Sequence, residues 1–461
     1  MIAVIEVGLF AFLAALLAFG FRRPFVWVLA YIYVDIVAPQ KISWLLLAKL
    51  PVSLIVFVAA FGGWLLFDGK QGTRFSFRQL LILLLLIYCG ITTMTADFPD
   101  SAAAKWSWVW KALVFAMFLP LTLRTRLRIE GAALVMVLSA GALFISAGVK
   151  TILSGGGYGS LQSFVNDNTG LYEGSTLSMA AIAVIPLIVF FIRNGTVFPP
   201  DRRVTLFCAA LIVACLLVPV GTQTRTGLLC IGVLAVLSLR TAKRRFLYVS
   251  MMTLAMIVVI PFLPASYTQR MSTIESHEGD ESASTRIAVW KWTLDYVGDH
   301  PMGGGFDAFL GNRITYDTKA TDTSGGTTSV EVNQVVDAGR AYHSAYFEML
   351  GEQGWPGLII WLTLHISGLL QMELVRRRFR NRTAPGETWQ APLANALQQG
   401  HVVYLVGAAF IGIAYQPFIY MLIALEIALA NLVKRTETER AGARRPAGKR
   451  VMKPINAQGA A

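Results

Sequence analysis

The runs 80–95 and 204–221 contain no charged residue. Their lengths are close to the roughly 20 residues that carry a helix across a bilayer. Similar apolar runs recur at 3–21, 24–40, 50–67, 106–123, 131–149, 176–192, 226–240, 246–264, 353–375, 399–415 and 417–433. A soluble domain is about 25 % charged, whereas this chain is 15 % charged with a mean hydropathy of +0.57. That much apolar surface exceeds what one soluble core can bury. The chain reads as an all-α polytopic membrane protein with about 12–13 transmembrane helices. A soluble enzyme, a disordered chain and a secreted disulfide scaffold are excluded.

The net charge of +13 suggests nucleic acid until its placement is examined. Of the 40 Lys+Arg, 28 fall in alternate connections: Arg22-Arg23, Lys70 to Arg78, Arg124 to Arg128, Arg193 to Arg203, Arg240 to Arg245, the Arg376 cluster, and the tail from Lys434. Basic residues concentrate on the cytoplasmic side of membrane proteins, so the charge expresses topology, with the C-terminus inside. No zinc spacing or aromatic-interleaved basic patch supports nucleic-acid binding. The four cysteines, Cys89, Cys208, Cys215 and Cys230, lie in apolar runs and suggest no disulfide or metal framework. No basic n-region precedes the first run, so a cleaved signal peptide is not expected.

The expected layout is N-terminal transmembrane helices over 1–150, an outer loop at 151–175 and further spans over 176–264. A large outer loop at 265–351, C-terminal spans over 352–433 and a basic, disordered tail at 434–461 complete it. The large loop has its own helical pattern: Ile287, Trp290, Leu294 and Val297 recur at helix spacing. His300-Pro301 ends that helix, and the glycines through Phe306 form a turn. The Thr-, Ser-, Gly- and Asp-rich stretch 316–330 reads as flexible, and a second amphipathic helix starts near Ala341.

The outer side holds few basic residues, so each is informative. Arg225 sits in the polar break Gly221-Thr-Gln-Thr-Arg-Thr-Gly227. It could grip a diphosphate in bidentate fashion, and a snorkelling arginine explains it equally well. Arg286 shares a helix face with Trp290, four residues on; an ordinary surface arginine is the simpler reading. Arg340 is a third anion contact or a solvated charge. His343, where the loop returns to the membrane, suits general-base work because histidine titrates near neutrality. Glu348 and Glu352 follow and could orient it or contact sugar. No metal-ligand spacing, P-loop or Gly-x-Ser-x-Gly elbow is present. Glu426, inside the last run, either pairs with an arginine or serves transport.

Three segments together resemble the O-antigen ligase/polymerase superfamily of bacterial envelope enzymes. They are Thr224-Arg225-Thr226-Gly227, then Ser284-Thr-Arg286 with Trp290, His300-Pro301 and the glycine turn. The third is His343-Ser344, nine residues, and Gly354-Trp-Pro-Gly357. The layout looks most like the exosortase-associated O-glycosylation ligases. The resemblance implies transfer of a glycan from a polyprenyl-diphosphate donor, such as undecaprenyl diphosphate, to a lipid, protein or sugar acceptor. The transfer would take place on the periplasmic face of the bacterial inner membrane, with neither metal nor cofactor. It implies Arg225 and Arg286 as diphosphate clamps and His343 as base, with Arg340, Glu352 and Trp290 binding substrate. A repeat-unit polymerase and, in another class, a secondary transporter are the competing readings.

Overall fold

A computed structural model describes residues 2–43, 46–70, 73–153, 171–240, 244–247, 250, 281–322 and 329–443. Most of the apolar run 246–264 and residues 154–170 of the expected outer loop lie outside these residues. The first ten helices are α1 (Ile2–Arg22), α2 (Phe25–Val37), α3 (Pro39–Ile42), α4 (Val52–Phe67), α5 (Phe77–Met94), α6 (Pro99–Thr122), α7 (Arg126–Leu153), α8 (Gly174–Asn194), α9 (Arg202–Gly221) and α10 (Arg225–Leu239). They are followed by α11 (Glu281–Asp299), strands β1 (Arg313–Asp322) and β2 (Ser329–Ala338), then α12 (Ala345–Phe379), α13 (Gln390–Ala408) and α14 (Pro417–Ala443). Among the described residues, six helices are long and apolar enough to cross a membrane: α5, α7, α8, α9, α12 and α14. Three more, α2, α4 and α10, are apolar but shorter. The protein is an all-α polytopic membrane protein with one small hairpin.

Local chemistry sets the helix starts. Ser76 and Gln79 form a reciprocal capping box at α5: Gln79 N donates to Ser76 Oγ (3.2 Å) and Ser76 N to Gln79 Oε1 (2.9 Å). Glu173 accepts from Ser175 N and Thr176 N at the start of α8. Helices α8 and α14 are the most buried spans. Within that core Glu426 of α14 pairs with Arg78 of α5 (2.5 Å) and His401 of α13 (2.9 Å), and His401 meets His365 of α12 at 2.7 Å. Of the two roles expected for Glu426, the arginine pairing is the one observed. At the basic end, Asp68 bonds Arg124 (2.9 Å) and Arg128 (2.5 Å), which hold its carboxyl below the usual range although desolvation opposes them.

The kink in α12 explains two sequence motifs at once. Gly354 has φ 60° and ψ −166°, which breaks the helix. Pro356 has no N–H for the Glu352 carbonyl. The glycine turn after Pro301 fills the break: Gly305 N donates to Glu352 O (2.9 Å) and Gly304 N to Gly351 O (3.1 Å). In return Trp355 N donates to Pro301 O (3.0 Å). Broken helices at membrane depth require such substitute partners.

Four expectations are corrected. The stretch 316–330 falls largely in an antiparallel pair, with Arg313 opposite Ala338 and Asp322 opposite Ser329; residues 323–328 lie outside the described ones. Its β-branched residues favour strands, and pairing satisfies the backbone. The second loop helix starts at Ala345, because Tyr342, His343 and Ser344 are non-helical, and it continues through the kink into the span. Helix α11 buries Val289, Thr293 and Val297, while Ile287 and Leu294 are exposed; it packs on the hairpin and on α12, so its buried stripe is set by protein neighbours. Finally, α14 stays helical through Ala443, beyond the start of the expected disordered tail.

Candidate active site

The site is built around a strained segment between β2 and α12. Gly339 (φ 66°) turns the chain out of β2. Asn312 then clamps Arg340, accepting from its N–H (3.0 Å) and donating to its carbonyl (2.6 Å). Trp290 donates its indole N–H to Tyr342 O at 2.8 Å and stacks on Phe347, with ring centroids 5.0 Å apart. These anchors hold His343 at φ 47°. Among the described residues only Ala38, Gln223, Asp307 and His343 have positive φ without being glycine. Backbone strain of this kind clusters at functional sites. Ala38, Asp307 and His343 line one cavity, and Gln223 lies two residues before Arg225.

His343 lines that cavity; it is exposed, yet partly shielded from water by the surrounding protein. This desolvation, then the positive charge of Arg286 and Arg340, pushes its pKa below the ordinary histidine value; Glu173 acts the other way. This favours the neutral imidazole, the form able to accept a proton. Helix α11, which carries Arg286, is fixed at its other end. Tyr296 donates to Asp97, just before α6, and stacks on Trp292 and His300. Burial and the Asp97 carboxylate raise the Tyr296 pKa, so it stays a donor.

The cavity has a volume of about 650 Å³. Its walls come from the end of α2 and α3, one face of α6, the segment at Asp307, residues 341–343, the first turns of α12 and the 412–417 connection. Lys105 of α6 lies 2.7 Å from Glu348, 2.7 Å from Glu352 and 3.5 Å from Asp307. Glu348 also accepts from Ala414 N (2.9 Å), and Glu352 from Asp307 N (3.0 Å). One lysine thus joins three carboxylates from two segments, α12 and the turn at Asp307. Glu348 and Glu352 serve this cluster rather than orienting His343.

Arg225 opens α10 from a turn knotted to the start of α8. Ser178 and Thr222 hydroxyls meet at 2.7 Å, and Thr224 donates to Ser178 at 2.9 Å. Gly174 lies against Thr222 and Thr224, and its neighbour Glu173 is the carboxylate that acts on His343. Thr222 and Thr224, just before Arg225, therefore pack at a helix start whose neighbouring carboxylate is within electrostatic reach of His343. Arg286 and Arg340 are each within electrostatic reach of His343, and Trp290 holds the peptide before it. Glu352 shares the cavity with His343. Arg340 is bound to Asp337 (Nε to Oδ2, 2.6 Å) and its side chain is 45 % exposed, in line with a solvated charge.

Sequence reasoning missed Lys105, Asp307, Trp108 and the trio Asp35, Lys41 and Lys111, all of which line the cavity. The available signal was Lys105-Trp-Ser-Trp-Val-Trp-Lys111, two lysines among tryptophans at the outer end of a span.

Residues 4–196 match a family of unknown function, DUF5935. No curated protein matches the chain. Residues 210–362 match the family described as O-antigen ligase. That stretch, about a third of the chain, contains Arg225, Arg286, Trp290, Arg340, His343 and Glu352, and over it the chain is similar to the O-antigen ligase superfamily.

Proposed function

We propose that the protein transfers a glycan from a polyprenyl-diphosphate carrier to an acceptor hydroxyl, in the manner of an O-antigen ligase. The observation that carries this reading is His343, held in a left-handed conformation within electrostatic reach of Arg286 and at the edge of a polar cavity. His343 takes the proton of the acceptor hydroxyl as its oxygen attacks the anomeric carbon. The bond from that carbon to the diphosphate oxygen breaks, and the leaving diphosphate takes up the electron pair. Arg286 and Arg225 face the developing negative charge, the role a metal plays in other transferases. Attack opposite the leaving group inverts the anomeric centre. Trp290 acts through the peptide it holds, and Glu352 contributes to the cavity that receives substrate. Arg340 supports the neutral state of His343.

The charge distribution supports an inner-membrane orientation with the basic C-terminal end in the cytoplasm and the hairpin and cavity at the periplasmic face. A repeat-unit polymerase would use the same groups on a different acceptor. The pairing of Glu426 with Arg78 and His401 favours a structural role over a transport role.

The test is glycan transfer from undecaprenyl diphosphate in membranes containing EDTA, comparing wild type with Arg225→Ala, Arg286→Ala and His343→Ala at equal expression. Transfer that persists in EDTA and drops at least 100-fold in each variant supports the mechanism. Variants that retain transfer overturn it, and the product's acceptor separates ligase from polymerase.

A further inference from the structure

The region of unknown function, residues 4–196, forms one wall of the cavity at His343. Val34, Asp35, Ala38, Gln40 and Lys41 come from α2 and its exit, and Lys105, Trp108 and Lys111 from α6. The opposite wall belongs to the ligase-like region and its C-terminal continuation.

The walls of the cavity hold unmet hydrogen-bonding capacity. Among the described residues, Asp35 Oδ2, Gln40 Oε1, Tyr342 Oη and Glu352 Oε2 are buried side-chain atoms with no hydrogen-bond partner in the protein, and all four residues line this cavity. The Glu352 side chain is fully buried and Tyr342 is 2 % exposed. The Gln40 oxygen only accepts, whereas the Tyr342 hydroxyl and a protonated Glu352 carboxyl can also donate. Buried polar atoms of this kind call for partners, and sugar hydroxyls both donate and accept.

Charge points the same way. The lysines Lys41, Lys105 and Lys111 face the carboxylates Asp35, Asp307, Glu348 and Glu352. Lys105 is committed to three carboxylates, and the charges of Lys111 and Lys41 act on Asp35. The lining carries no surplus positive charge for a phosphate or an acidic sugar. Trp108 supplies an aromatic surface for the apolar face of a sugar ring, and about 650 Å³ lies within the roughly 300–1,000 Å³ range of small-molecule sites.

We propose that this cavity binds an uncharged sugar of the acceptor, and that the N-terminal region sets acceptor specificity through Asp35, Gln40 and Trp108. The inference rests on the glycan-transfer reading, with the diphosphate on the arginine side of His343 and the acceptor on the cavity side. It assigns a role to a region whose family has none.

The experiment uses the full chain in lipid nanodiscs and two probes. The first is an array of short glycans with uncharged, carboxylated or phosphorylated termini; the second is undecaprenyl diphosphate. Wild type is expected to bind glycans with uncharged termini, and Gln40→Ala and Trp108→Ala to lower that signal at least tenfold while still binding undecaprenyl diphosphate, which shows that they fold. Binding confined to phosphorylated or carboxylated glycans, binding to no glycan, or glycan binding unchanged in both variants would each overturn the inference. Wild type that binds uncharged glycans but not undecaprenyl diphosphate would remove the donor reading and leave the sugar site standing.

Discussion

Trp290 and Tyr342 are joined by a 2.8 Å hydrogen bond from the indole N–H to the backbone carbonyl that immediately precedes His343. One side chain of α11 thereby fixes the strained peptide of the proposed base, and Arg286, one turn earlier on the same helix, is placed with it. Trp290→Phe keeps an aromatic ring against Phe347 but loses that bond. A net loss of about 1 kcal/mol corresponds to roughly a fivefold fall in transfer rate. Purified Trp290→Phe protein with wild-type melting and wild-type rate would show that the bond does not position His343.

His343 gives the pH dependence its sign. Its pKa is lowered by desolvation and by Arg286, with a further contribution from Arg340. The active, neutral form is populated above that pKa, so transfer rises with pH through an inflection below the ordinary histidine value of about 6.5 and is level above it. Arg340→Gln removes a positive neighbour and moves the inflection up; Glu173→Gln removes a negative one and moves it down. A pH profile of transfer for the three proteins is the check.

Lys105, in the N-terminal region, neutralises three carboxylates of the ligase-like region. Lys105→Met leaves Glu348, Glu352 and Asp307 facing one another without a cation. Breaking a buried charge cluster in this way costs about 3–5 kcal/mol. Thermal unfolding in detergent should show a clear drop, partly recovered when Glu352→Gln is added to Lys105→Met.

Gly354 accepts no side chain. Its φ of 60° with ψ of −166° is a glycine-only conformation, and a Cβ there would overlap the Pro301 carbonyl oxygen. Gly354→Ala is expected to displace the glycine turn and abolish transfer. Gly232→Ala, on α10 where a Cβ meets nothing within 4 Å, serves as the control and should leave transfer and stability unchanged.

Glu426→Gln tests the buried set Arg78, Glu426, His401 and His365. It leaves the Arg78 guanidinium without its carboxylate, 2.5 Å away in the wild type, at a cost of about 3–5 kcal/mol. Arg78→Met combined with Glu426→Gln should be more stable than Glu426→Gln alone. Folded Glu426→Gln protein should retain transfer, whereas loss of activity without loss of stability would give Glu426 a functional role.

The sequence by itself determined the membrane class, because uncharged runs of span length leave a chain no soluble alternative. It also singled out His343, Arg225 and Arg286 as candidates, from the few basic residues outside the basic connections, and it located the end of the first loop helix and the glycine turn. These are local signals of charge, spacing and backbone freedom. It misread the buried face of α11 and the 316–330 stretch, where burial and pairing depend on what lies opposite. Only the tertiary structure decided that the glycine turn supplies the N–H groups lost at the α12 kink, that Lys105 binds carboxylates more than two hundred residues away, and that Asp35, Gln40 and Trp108 stand across a cavity from His343. Those relationships come from packing between distant segments, and no pattern within one segment encodes which other segment will satisfy it.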